Sequence, residues 1–530
     1  MLALRGEELR RAYDIAVFGS GFGGSLMAMI AKRQGYSVVL LERGRHPRMT
    51  IGESSTPLAN LLLEELTIRY ELPAIRPLAK WGSWQRAYPH LACGLKRGFT
   101  FYHHEPGTQD TVDPDRSRQL LIAASPHDEI ADTHWYRADF DSFLVAQAQV
   151  IGVDYLDETR IDRFVEGRDE VSFDATKDGE TIEFRAGFAV DATGPHGMLH
   201  RALQITEASF PDYPATQALY SHFSGVELPC ESAQSNEREL PPYPAENAAV
   251  HHVFEGGWIW VLRFNNGVTS AGVAATRESA IRLSLYEGEP AWRRLIDSIP
   301  TLKEQFANAR AEVPFTFVPH VAFLTGSVCG RRWAMLPSAA GFVDPLLSTG
   351  FPLTLLGVDR LAAILDHHWN MPSLSAQLEW YASKTREELL ATSRLIGALY
   401  ANMNNFRVFK VLSLLYFAAA SYSESVRRLG KPHLARSILL QDDRVFGPAC
   451  KQLLARAMRL TSERESTLLI EDILRAIEPF DVAGLGNPNR RSWYPVDAED
   501  LLRSAAKVQS TREEIECLLQ RSGFYLNQRA

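Results

Sequence analysis

The chain has 530 residues, 45% hydrophobic and 23% charged, a composition that excludes disordered and fibrous architectures. Lys+Arg 56 against Asp+Glu 64 leaves a net charge of −8, which speaks against nonspecific nucleic-acid binding and against a polybasic membrane anchor. The five cysteines (Cys93, Cys230, Cys329, Cys450, Cys517) are scattered and never at CxxC spacing, so neither a zinc ribbon nor a disulfide scaffold is expected.

Residues 1–13 carry no secretory apolar core, and the most apolar later run, 411–420, is shorter than the ~20 residues of a membrane span. A cytoplasmic protein without a membrane span is expected. Residues 14–18 (DIAVF) read as a buried strand. Gly19-Ser-Gly21-Phe-Gly-Gly24 follows, then an apolar helix that Gly35 ends, then a second buried strand over 37–41 that closes on Glu42. Strand, glycine turn, helix, strand and terminal acid compose a dinucleotide-binding unit. Gly19 permits the tight turn, Gly21 lets backbone approach a pyrophosphate, and Gly24 lets the helix pack on the strand. The helix N-terminus offers its free N–H groups to phosphate. Glu42 suits the two ribose hydroxyls and repels a 2′-phosphate, which leaves FAD and NAD.

Thr56 and Pro57 then open a helix, Thr56 as N-cap and Pro57 at its first position, with Leu58, Leu61, Leu62 and Leu66 as a buried stripe. A further helix starts around 136–141, where Asp139 is a candidate N-cap, and a strand over 183–191 runs into Ala192-Thr193-Gly194. Residues 225–248, rich in Pro, Glu and Ser, read as a loop. The stretch 250–274 is strand-rich, and Trp258 and Trp260 share one face of a strand, a placement that on its own reads as core. Adjacent histidines (103–104 and 251–252) point to opposite faces of a strand, and no metal site is expected. A strand over 332–336 leads to Pro337-Ser338-Ala-Ala-Gly341. Thr349 can cap the helix that follows, with Pro352 in its first turn. The amides of Thr349 and Gly350 would then attract an anion at the positive end of the helix. Beyond 373 the chain reads almost wholly helical.

With these motifs in place the chain resembles the flavin-dependent halogenases, in the phenol/pyrrole-type branch of the flavoproteins folded like p-hydroxybenzoate hydroxylase, over roughly residues 12–365. The resemblance implies an α/β fold: an FAD-binding Rossmann-like domain with an interleaved β-sheet substrate domain (about 76–130 and 200–320) inside residues 1–372, and a helical C-terminal region over 373–530. It implies FAD at Gly19, Gly21 and Gly24, with Glu42 on the adenosine ribose, Arg137 near the flavin, and Thr193 and Gly194 in the nucleotide site. Residues 52–57 resemble the family's flap beside the flavin. Gly257-Trp258-Ile-Trp260-Val-Leu262 resembles the WxWxIP motif, with Leu262 for Ile and Arg263 for Pro, so the two indoles would screen the flavin from organic substrate. Cys93-Gly-Leu-Lys96-Arg-Gly-Phe-Thr-Phe101 matches the segment of the essential lysine, which gives that role to Lys96 ahead of Lys80. Burial and a nearby cation such as Arg97 would favour its neutral amine. Chloride or bromide would sit at Thr349 and Gly350.

Two positions depart from the family pattern. Pro337-Ser338 stands where a Gly-Asp usually holds the ribityl chain, so Ser338 implies looser FAD binding. Leu347 stands where the tryptophan branch places a glutamate. The expected function is an FAD-dependent halogenase that receives reduced FAD from a separate flavin reductase and halogenates an electron-rich aromatic, free or carrier-protein-bound, through lysine-relayed hypohalous acid. The alternatives are a monooxygenase or reductase of the same fold, and a non-catalytic descendant that binds flavin weakly.

Overall fold

A computed structural model describes residues 10–108, 113, 115–229 and 240–525. The first strand, Arg10–Phe18, is longer than its apolar run because Arg10–Tyr13 continue the parallel pairing with Glu183–Ala186. It turns at Gly19 (φ +91°) straight into the helix Phe22–Arg33. A Cβ on Gly24 would lie 1.9 Å from the Gly19 carbonyl oxygen, so glycine at 24 is what allows the helix to start against the strand. The helix returns the chain to Val38–Leu41, parallel to the first strand.

Among the described residues these strands belong to a seven-stranded sheet. Asp154–Leu156 extends it beyond Val38–Leu41, Glu180–Asp191 pairs on the other side of the first strand, and Trp333–Met335 joins in parallel. Arg160–Glu166 and Val171–Lys177 complete it as an antiparallel meander.

A nine-stranded sheet lies in the other half. Its central strands are Thr269–Thr276, Gly257–Arg263, Ala249–Phe254 and Gly98–His103. Its edge holds a surprise for a region that reads as helical: Trp493–Tyr494 pairs in parallel with Gln119–Ala123, and the Arg116 guanidinium lies 3.4 Å over the Trp493 ring. A separate two-stranded ribbon, Cys93–Lys96 against Asp132–Trp135, sets Lys96 opposite Asp132.

Two local expectations change. The helix Arg137–Val150 is capped by Tyr136, and Asp139 sits inside its first turn, where its carboxylate accepts the Ala92 amide at 3.1 Å. Of residues 225–248, 230–239 (with Cys230) lie outside the described residues. The end of that stretch is anchored: the Tyr243 hydroxyl donates to the Phe99 carbonyl at 2.6 Å, and Glu246 pairs with Arg263 at 3.2 Å.

Helices Gly350–His368, Leu374–Ala401 and Phe406–Arg428 carry the chain into the C-terminal region. Arg360 forks onto the fully buried Glu388 at 2.7 and 2.8 Å, fixing the first of these helices to the second. Arg427 pairs with Glu65 at 3.1 Å, tying the third to the helix Pro57–Arg69. No helix among the described residues is long and apolar enough to cross a membrane. Because Glu388→Ala would strand the Arg360 charge in the interior, it should cost about 3–5 kcal/mol, read as a shift in the urea unfolding midpoint at unchanged slope.

Candidate active site

The glycine turn gathers two guanidiniums, each paired with a carboxylate. Arg137 donates to both oxygens of Asp141 (2.9 and 2.7 Å) and to the Gly52 carbonyl (2.9 Å), which holds its guanidinium over the turn. A methyl group built on Gly21 would lie 3.4 Å from the Arg137 Nη2 and 4.0 Å from the Arg48 Nη2. Glu42 is buried beneath. Desolvation pushes its carboxyl up, but the amides of Gly44 and Ser20, the Ser20 hydroxyl and Arg48 outweigh that and hold it below its ordinary value, ionised. Thr193 and Gly194 form the adjoining turn. Asp191 accepts from the Thr193 amide and hydroxyl at 2.8 and 2.6 Å and from the Leu199 amide at 2.7 Å; sequence reading placed Asp191 only as a strand end. Ser338 is half-buried in the short helix Pro337–Ala340.

The flap is stitched to the two-stranded ribbon. The Trp135 amide donates to the Glu53 carbonyl (2.6 Å) and the Ser55 amide to the Thr133 carbonyl (3.2 Å). Thr56 caps its helix as expected, accepting from the Ala59 amide at 3.2 Å. Glu53 also reaches His222 on the large sheet at 2.7 Å. Ser54 and Ser55 are thereby set beneath Lys96, whose Nζ donates to the Ser54 hydroxyl at 2.9 Å and to the Ser55 carbonyl. Lys96 is 0% exposed, and its amine stands 3.7 Å from the centre of the Phe99 ring. Burial lowers its proton affinity while the Asp132 charge raises it; the net shift is down. Arg97 plays no part: it points the other way and pairs with Asp128 at 2.7 Å, as alternation along a strand requires. Lys80, a quarter exposed, faces Glu64 at 3.9 Å on the outer surface.

The segment before helix Gly350–His368 enters it through left-handed backbone at Leu347 (φ +67°) and Ser348 (φ +54°), a conformation that is rare and strained for a bulky leucine. Thr349 is already helical and its side chain makes no capping bond, contrary to expectation; the preceding left-handed pair, rather than a cap, sets the entry angle. Pro352 lies in the first turn, and a Cβ on Gly350 would meet nothing within 4 Å. Gly350, Ser348, Ser54, Gly52, Trp258 and Trp260 all line one cavity of about 70 Å³. The two indoles, 5.7 Å apart, form its wall. Trp258 is held from behind: its Nε1 donates to the Tyr400 hydroxyl (3.1 Å), which donates to Asp344 (2.9 Å), as does Tyr213 (2.7 Å).

A second, larger cavity of about 190 Å³ lies between the nine-stranded sheet and the C-terminal helices, lined mainly by apolar side chains including Phe99, Pro352, Tyr416, Phe417 and Leu519. Glu424 and Arg428, paired at 2.8 Å, reach its wall. Lys96 thus stands between two spaces: Ser54, on its amine, lines the small one, and Phe99, beneath the same amine, lines the large one.

Residues 130–405 match the tryptophan halogenase family. The chain belongs to that family. It is 27% identical over 410 residues to monodechloroaminopyrrolnitrin halogenase PrnC of Pseudomonas fluorescens, covering 76% of this chain and 70% of that one. It is 30% identical over 363 residues to tetracycline 7-halogenase of Kitasatospora aureofaciens, covering 66% and 63%. Among solved structures, halogenase PltM in complex with phloroglucinol and FAD superposes with a TM-score of 0.78 at 22% identity, over 90% of this chain and 99% of that one.

This halogenase is an FAD-dependent, halide-using enzyme, and its turn fits the cofactor: two guanidiniums, one paired with Asp141, converge on Gly21, where any side chain would crowd them, beside a carboxylate held ionised. The family resemblance puts Ser338 on the ribityl side, where it would offer a hydroxyl in place of a carboxylate. Ser338→Asp should tighten FAD binding about tenfold, the ~1.5 kcal/mol of one charge-assisted hydrogen bond, read by flavin fluorescence titration. The flap contact is pH-sensitive. Burial lowers the His222 imidazole, but the hydrogen bond and charge of Glu53 outweigh it and the net shift is upward. Its stabilisation is therefore complete below the ordinary histidine pKa of ~6.5 and is lost as pH rises through the higher folded-state value. Denaturant unfolding between about pH 6 and 9 should lose this component in His222→Gln.

Proposed function

We propose that the halogenase makes hypohalous acid in the small cavity and passes it by way of Lys96 to an aromatic substrate in the large one. The observation that carries this reading is the position of the amine, fully buried and touching the lining of both spaces. Bound in reduced form, FAD supplies with O2 the oxidising power that turns halide into hypohalous acid. The protein's own part is positional. Gly350, at the N-terminal end of a 19-residue helix, offers halide the positive end of the helix dipole. Trp258 and Trp260 fill the wall on that side, so that a small electrophile passes where an aromatic ring does not. Lys96, tilted toward the neutral amine, attacks it: N–X forms, X–O breaks, and the amine proton leaves with hydroxide as water. Transfer to the ring then breaks N–X, forms C–X, and returns the ring proton to nitrogen. The amine is regenerated.

The substrate is an electron-rich aromatic, which the apolar large cavity suits. PrnC and tetracycline 7-halogenase by name act on monodechloroaminopyrrolnitrin and on tetracycline, whereas other relatives are a brominase and a chlorinase of 1H-pyrrole-2-carbonyl-[peptidyl-carrier protein]. A separate flavin reductase is the expected source of reduced FAD, because the sequence carries one complete dinucleotide fingerprint. Incubation with such a reductase, NADH, FAD and bromide, followed by mass spectrometry of phenols, pyrroles and indoles, tests the reading. Lys96→Ala should lower brominated product by at least ~100-fold while flavin oxidation continues; product at the wild-type rate would refute the relay.

A further inference from the structure

We propose that Asp132 is the proton store of Lys96: it takes the ammonium proton within the protein interior and returns it once the amine carries halogen. This rests on the relay reading above. Asp132 and Lys96 are directly opposed in the antiparallel ribbon, so their side chains leave the same face. Both are buried. The amine bonds the Ser54 hydroxyl and the Ser55 carbonyl rather than the carboxylate, and Ser55 and Asn60 hold the two groups in place, so that the proton passes directly between cross-strand neighbours. The Ser55 hydroxyl donates to the Asn60 Oδ1 at 2.6 Å, and the Asn60 amide donates to the Asp132 Oδ1 at 2.8 Å. The other carboxylate oxygen, Oδ2, is buried without a hydrogen-bond partner. A buried carboxylate with an orphaned oxygen is costly as the anion and is relieved by a proton.

The surroundings act on the pair chiefly at Asp132, which the Glu424 charge raises and the Arg428 charge lowers. Helix Phe406–Arg428 turns Tyr416, Glu424 and Arg428 toward Asp132; Glu424 and Arg428 bond each other, and burial keeps the Tyr416 hydroxyl protonated. On the lysine side, His134 and His251 are pushed down to about 3, chiefly by burial, and are neutral. Burial likewise pushes Lys96 down and Asp132 up, drawing their proton affinities together, the condition for a proton to move between them. Leu347 is apolar and buried, so the carboxylate comes from the ribbon instead of from the halide loop.

The steps balance. An N–H bond of the ammonium breaks and an O–H bond forms on Asp132, leaving a neutral amine. Hypohalous acid converts this amine to the N-halo amine and water. Asp132 then protonates the N-halo amine, raising its electrophilicity. Transfer of halogen to the ring breaks N–X, forms C–X, and the ring proton restores the ammonium.

The test uses the full chain and cyanate, a small electrophile that marks neutral amines, with carbamylation of each lysine followed by peptide mass spectrometry between about pH 6 and 9. In wild type, Lys96 should react with a midpoint well below the ordinary lysine value of ~10.4 that exposed lysines follow. If it follows them, the proposal is overturned without recourse to any variant. In Asp132→Asn, which keeps the Asn60 contact, the midpoint should move at least about one pH unit lower, because no anion remains to favour the ammonium. The kcat for bromination should fall about 100-fold, within the range of general-acid catalysis, with KM little changed. An unmoved midpoint, or a kcat within twofold of wild type, overturns the assignment of Asp132 even if Lys96→Ala has upheld the relay.

Discussion

An amine removed from water loses most of what stabilises its charge, and the active-site arrangement turns on how that loss is managed at Lys96. The side chain is not abandoned. The flap supplies a hydroxyl and a carbonyl, Phe99 supplies the face of an aromatic ring, and Asp132, across the ribbon, supplies a counter-charge without bonding the amine. A direct, dry ion pair would have fixed the proton on nitrogen. Indirect support leaves nitrogen close to its neutral form while still holding it in one place, and that combination is what a halogen acceptor requires.

The small cavity depends on a second piece of polar engineering. Asp344 collects two tyrosine hydroxyls and the Leu346 amide, and burial pushes it up to about 6. Through Tyr400 it fixes Trp258, and by accepting the Leu346 amide on its carboxylate it fixes the loop whose left-handed Leu347 and Ser348 lead to Gly350. One carboxylate therefore connects the indole wall, the entry to helix Gly350–His368 and the helix Leu374–Ala401.

What could be read from sequence follows the range of the forces involved. The glycine turn, Glu42 at the strand end and the Thr56-Pro57 cap were all legible, because a turn, a cap and a strand end are decided by a few neighbouring residues. Lys96 was legible through the motif around it. Its neighbours were not: Asn60 and Asp132 are 36 residues away on either side, Glu53 and His222 lie 169 apart in the chain, and Tyr400 meets Asp344 only through the packing of a long helix. Such partners are chosen by strand register and helix docking, for which one sequence carries no local sign. The same distinction explains the errors. Arg97, adjacent to Lys96, was credited with an influence that strand alternation denies it, and Thr349 was credited with a cap that the preceding left-handed residues make unnecessary.

The walls of the large cavity are drawn from the first 124 residues and from residues 416–524, with Pro352 alone among them coming from the matched stretch 130–405. The walls of the small cavity, apart from residues 51–54, lie within that stretch, whereas the glycine turn and Lys96 precede it. Substitutions among residues 416–524 can therefore reshape the large cavity without touching any side chain on the wall of the small one.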